Sequence, residues 1–366
     1  MAGGLLFLSS SLAASLCVYL WARPGRKELL WTGGTAAALC AWFGLAGAWY
    51  AKIMLVAMYW AIVAFVVSFG LAMRKGGKAR VKVLEGMVLV PVLTLGTLPM
   101  LFLMSWLTPV TWDYYLYAAS TSFGMTPPDF LVAQVVMGQY WLKSLCEFAY
   151  MNLPVGLTVV FLMLREKAPD LAGKMFRCGL WLAFLGWACY LLFPASGSVA
   201  TFKNLYPYQP PPLSQVAVEQ RLDLGNARNC LPSLHTSWVL ALYWFTRPLG
   251  RLVRGAALVF TVLTLIYVLV CGHYVMDIFG TLPWVTAIYA WCLRGPGWQR
   301  VSGEGAVLYL VGLAYLRFGG PLYLSSPVYS WMAVALSIGW TVWRVRGLHR
   351  EAREIRFSTA ECAPAV

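Results

Sequence analysis

The stretch GAALVFTVLTLIYVLVCGHYVMD, residues 255–277, carries no acidic, basic or histidine side chain until His273, followed by Asp277. A helix needs about 17 to 25 apolar residues to cross roughly 30 Å of hydrocarbon, where no water satisfies an open backbone. The run therefore predicts a membrane-spanning helix that ends beside a histidine. Composition extends this reading to the whole chain: of 366 residues, 60% are hydrophobic and only 11% charged, too few to clothe a soluble domain. Comparable runs recur near 4–21, 29–49, 54–73, 86–107, 145–164, 178–194, 234–247, 255–272, 276–293, 305–317 and 327–343. They predict an all-α, polytopic integral membrane helix bundle of about eleven transmembrane helices.

The basic residues orient that bundle, because short cytoplasmic loops are enriched in Lys and Arg. With the N-terminus outside and the C-terminus cytoplasmic, 22 of the 28 fall on inside segments: 22–28, 74–85, 165–177, 247–254, 294–304 and the tail from 344. The net charge of +14 then reflects orientation and attraction to anionic headgroups. No separate basic domain of the nucleic-acid-binding kind is visible, so nucleic acid is excluded as a partner. The first segment lacks a positive n-region and is followed by Arg23, Arg26 and Lys27, which reads as an anchor and not a cleaved signal. The expected organisation is 1–107, N-terminal transmembrane helices; 108–141, an extracytoplasmic aromatic segment; 142–300, the catalytic membrane core; 301–343, C-terminal transmembrane helices; and 344–366, a basic cytoplasmic tail. The nine cysteines are scattered through apolar runs without the spacing of a zinc or disulfide framework. Cys230 and Cys271 stand apart, each near a histidine on the outer side, where an oxidising compartment could pair them.

Two long outer segments remain. Residues 108–141 are aromatic, hold Asp113 and Asp129 and lack Lys or Arg, which suits an amphipathic helix lying at the interface. Residues 194–233 are rich in Pro and Gly and predict a lid, a binding loop or disorder.

The chain has only three histidines. His235, in RNCLPSLHTSW at 228–238, opens an apolar run directly after a proline-marked turn. One helix in, a basic turn and one helix out return the chain to the same face at His273. Asp277, four residues on, shares a helical face with His273. A carboxylate there can accept the Nδ1 hydrogen and leave Nε2 free to attack, while His235 supplies the acid for a leaving oxygen. Arg228, Lys203 and Ser233 at the helix start are candidates to bind phosphate, with Arg221 behind them. Asp113 and Glu147 are weaker candidates, and His349 in the tail faces headgroups or water. This constellation fits phosphoryl transfer through a phosphohistidine, which requires no metal and no cofactor. Two histidines and a carboxylate also suit a metal site, and many helices with few buried charges suit a transporter.

YLLFPASGS at 190–198, RNCLPSLHTSW at 228–238 and GHYVMD at 272–277 resemble the type 2 phosphatidic acid phosphatase superfamily. WDYYLY at 112–117 and EFAYMNLPVG at 147–156 extend the likeness toward the branch containing inositol phosphorylceramide synthase. The resemblance implies that His273 is the nucleophile, His235 the general acid and Asp277 the orienting partner. It implies a phosphorylated lipid donor and an acceptor that is a lipid alcohol such as ceramide, a polyol or water. The expected location is a bacterial inner membrane with the site facing the periplasm. The first motif of the phosphatases, a lysine followed by an arginine, is not recognisable, and their Ser-Arg pair falls on Ile266 and Tyr267. These departures favour a transferase over a plain lipid or polyprenyl phosphatase.

Overall fold

The computed structural model describes residues 97–361, with side chains from 100 to 350, and scattered positions between 10 and 34. The span expected near 54–73, most of those near 4–21 and 29–49, and the first half of that near 86–107 lie outside the described residues. From Thr97 onward the chain is mostly helical: α1 (Thr97–Leu107), α2 (Asp113–Thr121), α3 (Pro128–Met137), α4 (Tyr140–Met151), α5 (Leu153–Lys167), α6 (Pro169–Leu192), α7 (Ser198–Phe202), α8 (Leu234–Phe245), α9 (Arg251–Val270), α10 (Val275–Leu293), α11 (Trp298–Phe318), α12 (Gly320–Tyr323) and α13 (Pro327–Glu361). Prolines mark several starts. Pro128, Pro154, Pro169 and Pro327 sit in first turns, where a missing N–H breaks no helical bond. The reversal from α10 into α11 runs through Arg294 and Gly297, both at positive φ.

Among the described residues, α6, α9, α10 and α11 are long and apolar enough to cross a membrane, and the bent pair α4–α5 makes a fifth candidate. This is the framework of an integral membrane protein. The segment expected to span at 234–247 is instead α8, 12 residues long. At about 1.5 Å per residue that is roughly 18 Å, short of the roughly 30 Å core. Pro232 precedes it and Pro248 follows it, and hydropathy alone does not register those stops. The segment at 327–343 is the first half of α13, which stays helical through the basic stretch to Glu361. The fold is also not purely helical: β1 (Val110–Thr111) pairs antiparallel with β2 (Gln220–Arg221), Val110 opposite Arg221.

The chain divides into two compact units. One comprises Met1–Met100, Glu147–Leu180 and Leu242–Thr261. Within it Gly156 lets the Phe260 ring come so near that a Cβ would lie 3.1 Å from it, and Arg165 stacks on Phe161. The other comprises Leu101–Cys146, Trp181–Ala241 and Val262–Val366, and carries every candidate site residue except Glu147. In this unit the 108–141 segment is not a surface helix. It breaks into α2, α3 and the start of α4, with Asp113, Tyr117, Asp129 and Phe130 buried. The Pro- and Gly-rich loop packs on it through rings: Phe202 against Tyr117 at 4.6 Å and Tyr206 against Phe130 at 4.8 Å. Tyr206 also donates its hydroxyl to Leu269 O at 2.5 Å, and Gln134 donates to Pro207 O at 2.7 Å. Of the lid, binding loop or disorder expected here, the structure shows an ordered loop packed on α2 and α3.

Candidate active site

His273 lies in the break between α9 and α10. Gly272, at φ 96°, makes the turn that a side-chain-bearing residue would resist. Tyr274 caps α10, and Asp277 three residues later turns its carboxylate back. Its Oδ2 accepts the Tyr274 N–H at 2.9 Å and meets His273 Nδ1 at 3.2 Å. An ionised carboxylate only accepts, so Nδ1 carries the hydrogen and Nε2 has the lone pair. One buried group therefore starts the helix and fixes the imidazole tautomer. The i+4 contact expected from sequence is present.

His235 is the second residue of α8. Ser233, just before the helix, accepts from the Thr236 N–H at 3.3 Å and the Thr236 hydroxyl at 3.0 Å, the bonding of an N-cap. The Ser233 N–H donates to Thr281 Oγ1 at 2.9 Å, and that hydroxyl donates to Asp277 O at 2.6 Å. Thr281 thereby links the starts of the two histidine-bearing helices. His235 is partly exposed and lies edge-on to Trp238 with ring centroids 6.1 Å apart.

The loop PASGS, 194–198, is clamped from both sides. Asp113, fully buried at the start of α2, accepts the Ser196 N–H at 3.0 Å and the Gly197 N–H at 2.6 Å. Burial raises the pKa of Asp113, opposed by these N–H bonds. Asp129 accepts the Ser198 hydroxyl at 3.0 Å, and burial pushes its pKa up to about 7. On the other side the Ser198 N–H donates to Gly272 O at 2.5 Å, and the Cys230 N–H donates to Ala195 O at 3.1 Å. A Cβ at Gly197, whose φ is 92°, would lie 2.3 Å from Gly272 O and 3.0 Å from Cys230 Sγ. The backbones of all three motifs meet at this point.

The phosphate candidates are placed differently from the histidines. Arg228 is 0% exposed. Its guanidinium donates to Thr108 O at 3.1 Å, Leu222 O at 2.8 Å, Asp223 O at 3.2 Å, Pro109 O at 3.4 Å and Asn226 O, and touches Ser196 Oγ at 3.5 Å. Ser233 is fully buried, with its hydroxyl and N–H both engaged. Lys203 and Arg221 are exposed, on the turn after α7 and in β2. Glu147 lies in the other unit. His349 Nε2 bonds the Tyr289 hydroxyl at 2.7 Å, an internal contact instead of a headgroup-facing one.

Sequence reasoning gave little weight to Asp113 and missed the roles of Asp129 and Gly197. It singled out Cys230 as a candidate disulfide partner of Cys271. In the structure Cys230 and Cys271 form no disulfide, the first being buried and the second exposed. Ligand atoms of Cys230, His273 and Asp277 all lie within 4.8 Å of one another, the one trio among the described residues able to hold a metal ion.

A model of the PAP2 superfamily matches residues 114–291. The match takes in Asp129, the PASGS loop, His235, His273 and Asp277, and stops before α11. No curated protein and no solved structure matches the chain. PAP2 likeness thus rests on the stretch where the geometry converges, and it agrees with a phosphatase or phosphotransferase acting on lipid-like substrates in a membrane.

Proposed function

We propose that this protein moves a phosphoryl-bearing group from a phosphorylated lipid to an acceptor hydroxyl through a phosphohistidine. The observation that supports it most is the buried Asp277–His273 pair at 3.2 Å, with the start of the His235 helix tied to the Asp277 backbone through Thr281. In the first step His273 Nε2 attacks phosphorus, the P–O bond to the leaving alcohol breaks, and His235 gives its proton to that oxygen. In the second His235 takes a proton from the acceptor hydroxyl, whose oxygen attacks phosphorus and breaks the P–N bond. Asp277 stays ionised and steadies the charge that grows on His273.

The donor in this reading is a phosphorylated lipid. The acceptor is a lipid alcohol such as ceramide, a polyol or water, after the inositol phosphorylceramide synthase-like branch. Arg228 and Ser233 serve phosphate by position: Arg228 braces the loop that carries Ser196, and Ser233 aims α8. Lys203 offers an exposed ammonium to an incoming anion. The site faces the periplasm of a bacterial inner membrane. No metal enters the reaction; the trio that includes Cys230 serves orientation.

The test is turnover by the purified protein in detergent, with a panel of radiolabelled phospholipids offered with and without ceramide or inositol, in the presence and absence of a chelator. His273→Ala should abolish both turnover and labelled phosphoenzyme. His235→Ala should slow both formation and breakdown of the phosphoenzyme. Full activity in both variants overturns the mechanism. Loss of activity on chelation would favour the metal reading, and lipid movement without phosphate transfer would favour a transporter.

A further inference from the structure

A groove of about 430 Å³ runs between α10, α11 and α13, with Leu231, Met276, Gly280, Gly312, Ala333 and Leu336 in its almost wholly apolar wall. Leu231 follows Cys230, and Met276 precedes Asp277. One wall is therefore the reverse side of the backbone that holds the reacting groups. The helices meet there by their near ends: the start of α10, the last half of α11 and the start of α13. The groove is thus at the His273 end of α10. It is open along one side, where Met332 is 53% and Leu336 69% exposed, and α10 and α11 are both bilayer-length helices. A hydrocarbon chain can enter such a groove sideways from the membrane without passing through water. Its volume falls within the roughly 300–1,000 Å³ typical of small-molecule sites.

A cation lies one residue beyond the groove lining on α11. Arg317 follows the groove residue Leu316 on α11, and its guanidinium lies 4.3 Å from the Tyr115 ring centre and 4.8 Å from that of Trp112. Those rings belong to the segment whose Asp113 holds the PASGS loop. Apolar walls, a stacked guanidinium and a reaction centre within one unit have the pattern of an amphiphile.

We propose that this groove seats a hydrocarbon chain of the phosphorylated lipid donor, with Arg317 on the anionic headgroup. The inference rests on the phosphotransfer reading and adds to it. Because α11 and α13 lie beyond residues 114–291, chain-length selectivity would be a property of the C-terminal part of this chain and not of the matched PAP2 stretch.

Purified full-length protein in detergent would be compared on dipalmitoyl and dibutyryl phosphatidic acid. A Cβ at Gly312 meets nothing within 4 Å, so Gly312→Phe points a ring into the groove without displacing its helix. It should raise KM for the long-chain substrate at least about tenfold and leave the short-chain KM and kcat unchanged; Ala333→Phe should do the same from α13. Arg317→Gln should raise KM for both substrates. A long-chain phosphatidic acid with a photoreactive group at the chain end should label residues 308–316 or 329–340 in the unaltered protein, a readout independent of how the variants fold. Unchanged long-chain KM in both groove variants, or labelling confined to other segments, overturns the groove. An unchanged KM in Arg317→Gln overturns the headgroup contact. If the unaltered protein turns over neither substrate, the phosphotransfer reading itself fails.

Discussion

Replacing Asp277 with asparagine changes one atom type at the centre of the site and leaves its volume intact. In the native protein Oδ2 accepts two hydrogens, from the Tyr274 N–H at 2.9 Å and from His273 Nδ1 at 3.2 Å. An amide oxygen in the place of Oδ2 still accepts from both, and the amide nitrogen is kept out of that place because it would meet the Tyr274 N–H as a second donor. The Nδ1 hydrogen and the free Nε2 are therefore kept, and what the variant removes is the negative charge that supports positive charge on His273. A drop of about 10² to 10³ is expected, about 2.7 to 4 kcal/mol of barrier. The structural cost should be small, on the order of 1 kcal/mol for a weakened cap. The assay is single-turnover formation of radiolabelled phosphoenzyme, with thermal unfolding in the same detergent as control. Activity within tenfold of the unaltered protein, in a folded variant, would refute the assignment of Asp277 as the orienting partner.

Arg228→Gln should lower stability by about 3–5 kcal/mol, because several buried carbonyls lose a charged donor, and Arg228→Lys should not restore it since one ammonium cannot span them. Unfolding temperature decides between this and direct phosphate binding, in which KM would rise while stability held. Gly197→Ala forces an ordinary side chain to φ 92° and into Gly272 O, so at least about 1–3 kcal/mol of stability and most turnover should go together, read by unfolding and phosphate release. Asp129 keeps its proton to about pH 7 in the folded state, whereas an unfolded aspartate releases it near pH 4. Folding stability should therefore fall as pH rises from about 4 to about 7 and level off above, by a few kcal/mol at most. Asp129→Asn should flatten that fall in thermal unfolding scans; an unchanged slope would show that another group is responsible.

What could be read in advance depended on distance along the chain. The run at 255–272 announces a spanning helix because hydrocarbon thickness sets its length, and α9 spans Arg251–Val270. The His273–Asp277 contact follows from helical spacing alone. Residues 234–247 looked equally apolar, yet α8 is only 12 residues long, bounded by Pro232 and Pro248. Asp113 gave little signal because its partners are backbone N–H groups more than 80 residues away, and peptide groups leave no mark in a sequence. Arg228 failed in the same way from the other side. A cation beside a phosphate-type motif suggests an anion, but the groups it meets are carbonyls. Lys203, equally basic, is left on the surface by the turn after α7.

The contact of Gly197 with Gly272 and Cys230 sets terms for any attempt to move this chemistry elsewhere. Grafting residues 228–277 onto another helical pair would transplant both histidines and Asp277, yet leave Gly272 O without the Ser198 N–H that holds it. The portable module must include 194–198 and the two acidic residues that grip it, so the smallest transferable unit begins at Asp113.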